Sequence, residues 1–139
     1  MEKPDVCMKT YAICSALIIN KDRFLIAKRS LNKTFAPGEW EFISGFIDKE
    51  KITVEEIMLE ELKEELNISG KIVRSGPPFV KTDRYGRWVV VPFIIKTGAK
   101  GLRINDMDHT ELKWVTKRQL SEYKNLDWFI EGFKESGML

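Results

Sequence analysis

A chain of 139 residues, 43% apolar and 32% charged, fits one soluble globular domain (1–139) with a core of its own. Its net charge of +2 is too small to hold nucleic acid by charge alone, and its longest apolar run, Ala16 to Ile19, is far too short for a membrane span. The opening MEKPDVCMKT lacks the hydrophobic segment of a secretory signal, and Cys7 and Cys14 have no C-x-x-C spacing or neighbouring histidine. A cytoplasmic protein without a cysteine zinc site or a disulfide is expected.

Tyr11 to Ile19 is rich in β-formers, Asn20-Lys21-Asp22 reads as a turn, and Arg23 to Arg29 reads as a returning strand, so the chain opens with a hairpin. Lys21 and Arg23 suit a charged sheet edge. Ser30 to Glu39 is a loop turning at Pro37-Gly38. Trp40 to Ser44 reads as a short strand that runs into Gly45, where glycine permits either a positive φ or close backbone approach. Thr53 and Glu56 form a capping-box pattern, which predicts a helix from Val54. At 100° per residue, Val54, Ile57, Met58, Leu62 and Leu66 make one apolar arc. Asn67 suits a left-handed cap at the end of that helix.

Further strands are predicted at Lys71 to Val73 with Phe79-Val80, at Trp88 to Ile95, and at Glu111 to Val115. Trp88 to Ile95 reads as central, with Pro92 implying a bulge or an unpaired backbone position. Lys96 to Met107 reads as a polar loop that could rim a pocket. Thr116 and Gln119 form a second capping-box pattern, predicting a helix from Lys117, and Leu126, Phe129, Ile130 and Phe133 predict a closing amphipathic helix. The fold class is α/β in the broad sense (α+β), an α/β/α sandwich around a mixed β-sheet.

The chemistry concentrates between Asp48 and Glu65, where eight acids stand against three lysines. Glu61 and Glu65 fall inside the apolar arc of the helix and Glu64 sits at its edge. Three carboxylates within one turn repel one another, more so where water is excluded. A divalent cation such as Mg²⁺, which takes carboxylate oxygens, water and phosphates, removes that penalty. Outside this stretch, Arg29 at a strand end is a candidate phosphate ligand, because guanidinium meets phosphate in a bidentate way. Phe79, Tyr85 and Trp88 are candidates for stacking on a base, though aromatics on strands more often serve a core.

Glu61-Leu62-Lys63-Glu64-Glu65-Leu66-Asn67-Ile68, with Gly45 ahead of it, resembles the Nudix box, G-x5-E-x7-R-E-U-x-E-E-x-G-U, where U is aliphatic. The flanking AKR, PGEWEF and ELKWV are similar to Nudix sequence too, and the likeness spans Tyr11 to Tyr123. Three positions depart from it: Glu60 stands for the arginine, Ile52 for the earlier glutamate, with one extra residue in the loop so that Glu50 fills that role only if the loop bulges, and Asn67 for the last glycine. The resemblance implies hydrolysis of a pyrophosphate linkage in a nucleoside diphosphate-X or nucleoside triphosphate with Mg²⁺ or Mn²⁺. It implies that Glu61, Glu64 and Glu65 hold the metal with the carbonyl of Ser44 or Gly45, and that Glu61 or Glu64 deprotonates the attacking water. It implies that Arg29 and Lys28 meet the remote phosphate. Tyr85 lies where diadenosine-polyphosphate hydrolases resemble one another in carrying a tyrosine. Asp106, Asp108, His109 and Glu111 are candidates for a base outside the box, His109 otherwise reading as a surface loop residue.

Two other functions stay open. A non-catalytic Nudix-like nucleotide-binding or sensor domain would account for Glu60 and the displaced glutamate. An isopentenyl-diphosphate isomerase-like enzyme is suggested by the EEL ending of the box, but that chemistry wants a histidine-rich site and the chain has one histidine. The expected partner is a small nucleotide, with a homodimer possible, and no membrane or stable nucleic-acid partner.

Overall fold

The computed structural model describes residues 8–50, 52–98 and 101–139. Cys7 and most of the opening segment lie outside the described residues, so the disulfide and signal-segment expectations are not addressed there. The described residues form eight strands: β1 (Thr10–Asn20), β2 (Arg23–Arg29), β3 (Trp40–Glu41), β4 (Ile43–Phe46), β5 (Lys71–Ser75), β6 (Phe79–Asp83), β7 (Gly86–Lys96) and β8 (His109–Thr116). Helix α1 (Val54–Leu66) follows β4, and α2 (Asp127–Glu135) closes the chain.

The sheet runs β3-β2-β1-β7-β5, with β4 also on β1, β6 on β7 and β8 on β2. Its centre is a long parallel pair, β1 with β7, in register from Thr10↔Arg87 to Ile19↔Lys96. The other pairings are antiparallel, so the sheet is mixed as expected. Strand alternation sends one side chain set to each face. Ile13, Leu17, Phe24, Ile26, Trp88 and Val90 pack with Phe129 and Phe133 of α2. Cys14, Ala16, Ile18, Leu25, Ala27 and Ile43 pack with Ile57, Met58, Leu62 and Leu66 of α1. This is the predicted sandwich, a sheet covered by one helix on each face.

Pro92 sits in the central strand without harm for a reason visible in the pairing. Its carbonyl accepts from Gly76 N–H at 3.2 Å, so its missing N–H faces the same side. On that side β5 pairs only from Phe93 onward and β6 only up to Val90, because Gly76-Pro77-Pro78 breaks the partner strand.

Helix α1 starts as its capping box dictates: Glu56 N–H donates to Thr53 Oγ1 at 3.1 Å, and Thr53 N–H to Glu56 Oε1 at 2.9 Å. Asn67 ends it at φ 56°, the left-handed conformation that asparagine tolerates. Its anchor is strong, since Met58, Leu62 and Leu66 are fully buried and each contributes about 1.5–3 kcal/mol. The helix predicted from Lys117 is instead two 3₁₀ turns, Arg118–Glu122 and Lys124–Leu126. The reciprocal Thr116 and Gln119 bonds do form, at 2.8 and 3.2 Å. The apolar residues Leu120, Tyr123 and Leu126 recur every third residue, the 3₁₀ period rather than the α one.

Candidate active site

Strand β1 pairs with β2 only at Ile19 and Asn20, and with β4 from Ile13 to Ala16. The two hairpin arms therefore diverge, β2 taking β3 and β8 as its partners. Two features meet at this fork, an acidic layer on the α1 side and a cleft on the α2 side.

The acidic layer grows from α1. Its apolar stripe lies on the sheet and carries Glu61 and Glu65 inward with it: Glu65 is buried, Glu61 is half-buried and Glu64 is exposed. Burial is the main cause that pushes Glu65 up to about 10 and Glu61 up to about 7. Neighbouring acids add to both, Glu41, Glu61 and Asp108 for Glu65, and Glu64 and Asp108 for Glu61. Lys33 opposes both shifts and Lys49 opposes that of Glu61. Lys49 reaches in from the loop and donates to Glu60 at 2.7 Å. The position where the Nudix pattern has arginine thus carries an acid that holds a lysine. Glu50 is exposed and Ile52 packs at the margin of the α1 core, so neither enters the layer.

Gly45 faces this layer. A Cβ there would lie 2.3 Å from Glu61 Cγ and 2.7 Å from its Oε1, so only glycine leaves room for the Glu61 side chain. Close approach, not a positive φ, is what the position requires. Its carbonyl accepts a long bond from the Cys14 thiol at 3.6 Å, and burial pushes that thiol up to about 12, leaving it inert.

Facing Glu65 is a chain of polar groups. Arg29 Nη1 donates to Glu41 Oε1 at 2.8 Å, and its Nε donates to the Phe35 carbonyl at 2.8 Å. Two of the three guanidinium nitrogens of Arg29, the expected phosphate ligand, are thus engaged by a carboxylate and a carbonyl, and the residue also lines the cleft. Glu41 Oε2 lies 2.8 Å from His109 Nε2, and His109 Nδ1 lies 3.6 Å from Glu65 Oε1. His109 is 1% exposed, which overturns its reading as a surface loop residue. A β-bulge causes this: Lys28 pairs with Glu111 and Arg29 with His109, so Thr110 is an extra residue. The bulge turns His109 onto the face of Arg29, the face that α1 covers. Asp108 is held by Lys33 at 2.7 Å, whereas Asp106 and Glu111 are exposed.

The donor set suits a hard or borderline divalent ion. Glu41, Glu65 and His109 each offer a ligand atom, all within 4.8 Å of one another, and Glu61 and Glu65 lack sufficient cations for the charge they would carry.

The cleft measures about 430 Å³. Arg29, Glu41 and Gly45 form the end that abuts the acidic layer, and Phe35, Phe46, Tyr85, Trp88 and Trp128 its aromatic wall. Glu61, Glu64 and Glu65 do not line it; Gly45 and Glu41, which touch the acidic layer from the other side, connect the two. Lys28 is half-buried and does not line it either. Tyr85 does, but its hydroxyl accepts from Ala36 N–H at 3.0 Å and from Arg84 Nη2 at 2.8 Å, which ties it to the loop. Trp88 stacks on Tyr11 at 4.5 Å and Phe79 packs on Phe133, both in the α2-side core.

Glu41 was not singled out by sequence, although a signal existed: alternation in Trp40 to Ser44 puts it on the α1 face beside Ile43, a lone carboxylate among apolar residues. His109 carried no such signal, since alternation back from Leu112 and Trp114 assigns it to the opposite face.

No curated protein matches the sequence. Solved structures do match in fold. The MutT protein of Methanosarcina mazei Go1 is 20% identical at a TM-score of 0.76, covering 94% of this chain and 98% of that one. The NUDIX domain of Shewanella oneidensis NrtR, solved in complex with ADP ribose, is 19% identical at 0.72, covering 96% and 92%. A MutT NUDIX hydrolase from Burkholderia pseudomallei is 22% identical at 0.67, covering 78% and 84%. The model of the NUDIX domain matches residues 8–135. The chain belongs to the NUDIX domain family.

Proposed function

We propose that the protein is a divalent-metal-dependent pyrophosphohydrolase acting on a nucleoside diphosphate linked to a further group, or on a nucleoside triphosphate. The observation that carries this reading is the junction at the fork: an aromatic-walled cleft of about 430 Å³ ends at Gly45 and Glu41, directly against a layer of under-neutralised buried glutamates. A base and sugar suit the aromatic end, and a diphosphate suits the end that abuts the acidic layer once cations are present. Glu61, Glu64 and Glu65 would hold Mg²⁺ or Mn²⁺, with the carbonyl of Ser44 or Gly45 as a further donor. Such an ion offsets the charge of the bridging phosphates and lowers the pKa of a bound water.

The chain's own groups divide the remaining work. Arg84 and Lys124 at the cleft rim offer cations to an anionic ligand. Gly45 lets Glu61 approach the backbone, and Glu61 or Glu64 would accept the proton of the attacking water. Glu65 is the ligand whose loss should abolish activity. Turnover of a panel of nucleoside diphosphate sugars, ADP-ribose, dinucleoside polyphosphates and nucleoside triphosphates, with Mg²⁺ and with Mn²⁺, tests the assignment. Turnover that Glu65→Gln eliminates supports it; full activity in Glu65→Gln overturns the ligand assignment.

A nucleotide-binding or sensor role is the second reading. It is favoured by the Lys49–Glu60 pair, which stands where the family pattern has arginine, and by a structural neighbour solved with ADP ribose. Nucleotide binding without turnover of any panel member would select it.

A further inference from the structure

The arrangement around His109 carries an inference that rests on reading the acidic layer as a divalent-ion site. Both Glu41 oxygens are engaged: Oε1 is held by Arg29 Nη1 at 2.8 Å and Oε2 lies 2.8 Å from His109 Nε2. Paired with Arg29, the Glu41 carboxylate can only accept, so the ring proton belongs on Nε2. That leaves Nδ1 as a bare lone pair. It is the one buried side-chain nitrogen or oxygen among the described residues that has no hydrogen-bond partner.

The orphaned nitrogen lies 3.6 Å from Glu65 Oε1. This is too long for a hydrogen bond. It is close to the spacing of two ligands on one ion: atoms each about 2.1 Å from a shared centre lie roughly 3.0 Å apart at a right angle and roughly 3.4 Å apart at the tetrahedral angle. The chain Arg29, Glu41, His109 also has the form in which metal-binding histidines are built. One ring nitrogen donates to a carboxylate, and this fixes the tautomer and aims the other nitrogen at the ion.

We propose that His109 is a metal ligand, its Nδ1 and the Glu65 carboxylate sharing one divalent ion, with Glu41 as the carboxylate that orients the imidazole. The site then has a mixed nitrogen and oxygen donor set. Imidazole suits Fe²⁺, Co²⁺, Ni²⁺ and Zn²⁺, and Mn²⁺, though it favours oxygen ligands, accepts a nitrogen more readily than Mg²⁺, which keeps an all-oxygen shell with several waters. The bulge at Thr110 exists, on this account, to bring a nitrogen into a carboxylate site and bias it toward transition metals.

The test uses Mn²⁺ alone as probe. Electron spin-echo envelope modulation of Mn²⁺ bound to the wild-type protein should show a directly coordinated imidazole nitrogen, and its pattern should change when histidine is ¹⁵N-labelled. Calorimetric titrations should show Mn²⁺ and Co²⁺ affinity falling by about 10–100-fold or more in His109→Gln, with Mg²⁺ affinity nearly unchanged. Bound Mn²⁺ without nitrogen coupling, or an equal loss for Mg²⁺ and Mn²⁺, overturns the proposal. The wild-type spectrum decides the question even where His109→Gln does not fold. The two levels fail separately: ion binding that Glu65→Gln abolishes but that shows no nitrogen coupling removes only the His109 ligand. Absence of any divalent-ion binding removes the functional reading as well.

Discussion

Replacing Glu65 by glutamine should stabilise the metal-free protein at alkaline pH. A carboxyl raised from 4.5 to about 10 stays protonated in the folded state long after the unfolded chain has released its proton. The folded form therefore binds more protons, and its stability is fully present below pH 4.5 and lost steadily as pH rises toward about 10. At pH 8 the loss for Glu65 alone reaches about 5 kcal/mol when no water relaxes around the carboxylate, since each pH unit above the unfolded value costs about 1.36 kcal/mol. Water entering beside Glu61 reduces it, so the expected gain in Glu65→Gln at pH 8 is about 1–5 kcal/mol, falling to nothing near pH 4.5. Urea unfolding of both proteins in EDTA, from pH 5 to 9, measures it. Glu65→Gln less stable than wild type at pH 8, or a difference that does not vary with pH, would refute the picture of a buried carboxyl short of cations.

Gly45→Ala forces a Cβ to within 2.3 Å of Glu61 Cγ, so it should cost about 1–3 kcal/mol and displace Glu61, lowering turnover about 100-fold. Gly98→Ala, which meets nothing within 4 Å, is the control and should leave both unchanged. Thr53→Ala removes the hydroxyl arm of the α1 capping box, leaving the bond from the backbone N–H of residue 53 to Glu56, and should lower stability by about 1 kcal/mol in thermal unfolding, without changing metal affinity. Glu60→Arg removes the exposed, solvent-screened Lys49 pair and adds a cation beside Glu61 and Glu64. It should raise turnover; a fall would show that the held Lys49 has taken over the role of the missing arginine.

The α1 half of the site is legible in the sequence because its signals are local. A capping box, a 3.6-residue apolar period and a left-handed asparagine fix the helix, and the period alone places Glu61 and Glu65 among buried residues. The half facing it depends on contacts between distant segments. Arg29 looks free until β3 brings Glu41 to Ala27 and the loop brings the Phe35 carbonyl to its Nε. His109 is invisible to alternation because one extra residue, Thr110, reverses the face it takes. The parallel union of β1 with β7 likewise joins segments remote in sequence, so no turn signal announces it. At the C-terminal end the capping pattern of Thr116 and Gln119 forms its bonds, but the three-residue apolar spacing selects 3₁₀ turns over the expected helix.

Metal-dependent hydrolysis at the Glu61, Glu64 and Glu65 layer is tested most directly by product analysis in ¹⁸O-enriched water. A nucleoside diphosphate sugar or ADP-ribose is incubated with the protein and Mn²⁺ or Mg²⁺, and the phosphate products are weighed by mass spectrometry. The expected result is cleavage of the pyrophosphate bridge with one ¹⁸O in one of the two phosphate products, stopped by EDTA and restored by added ion. Turnover that persists in EDTA, or a nucleotide that binds and is recovered intact and unlabelled across the whole panel, would contradict it.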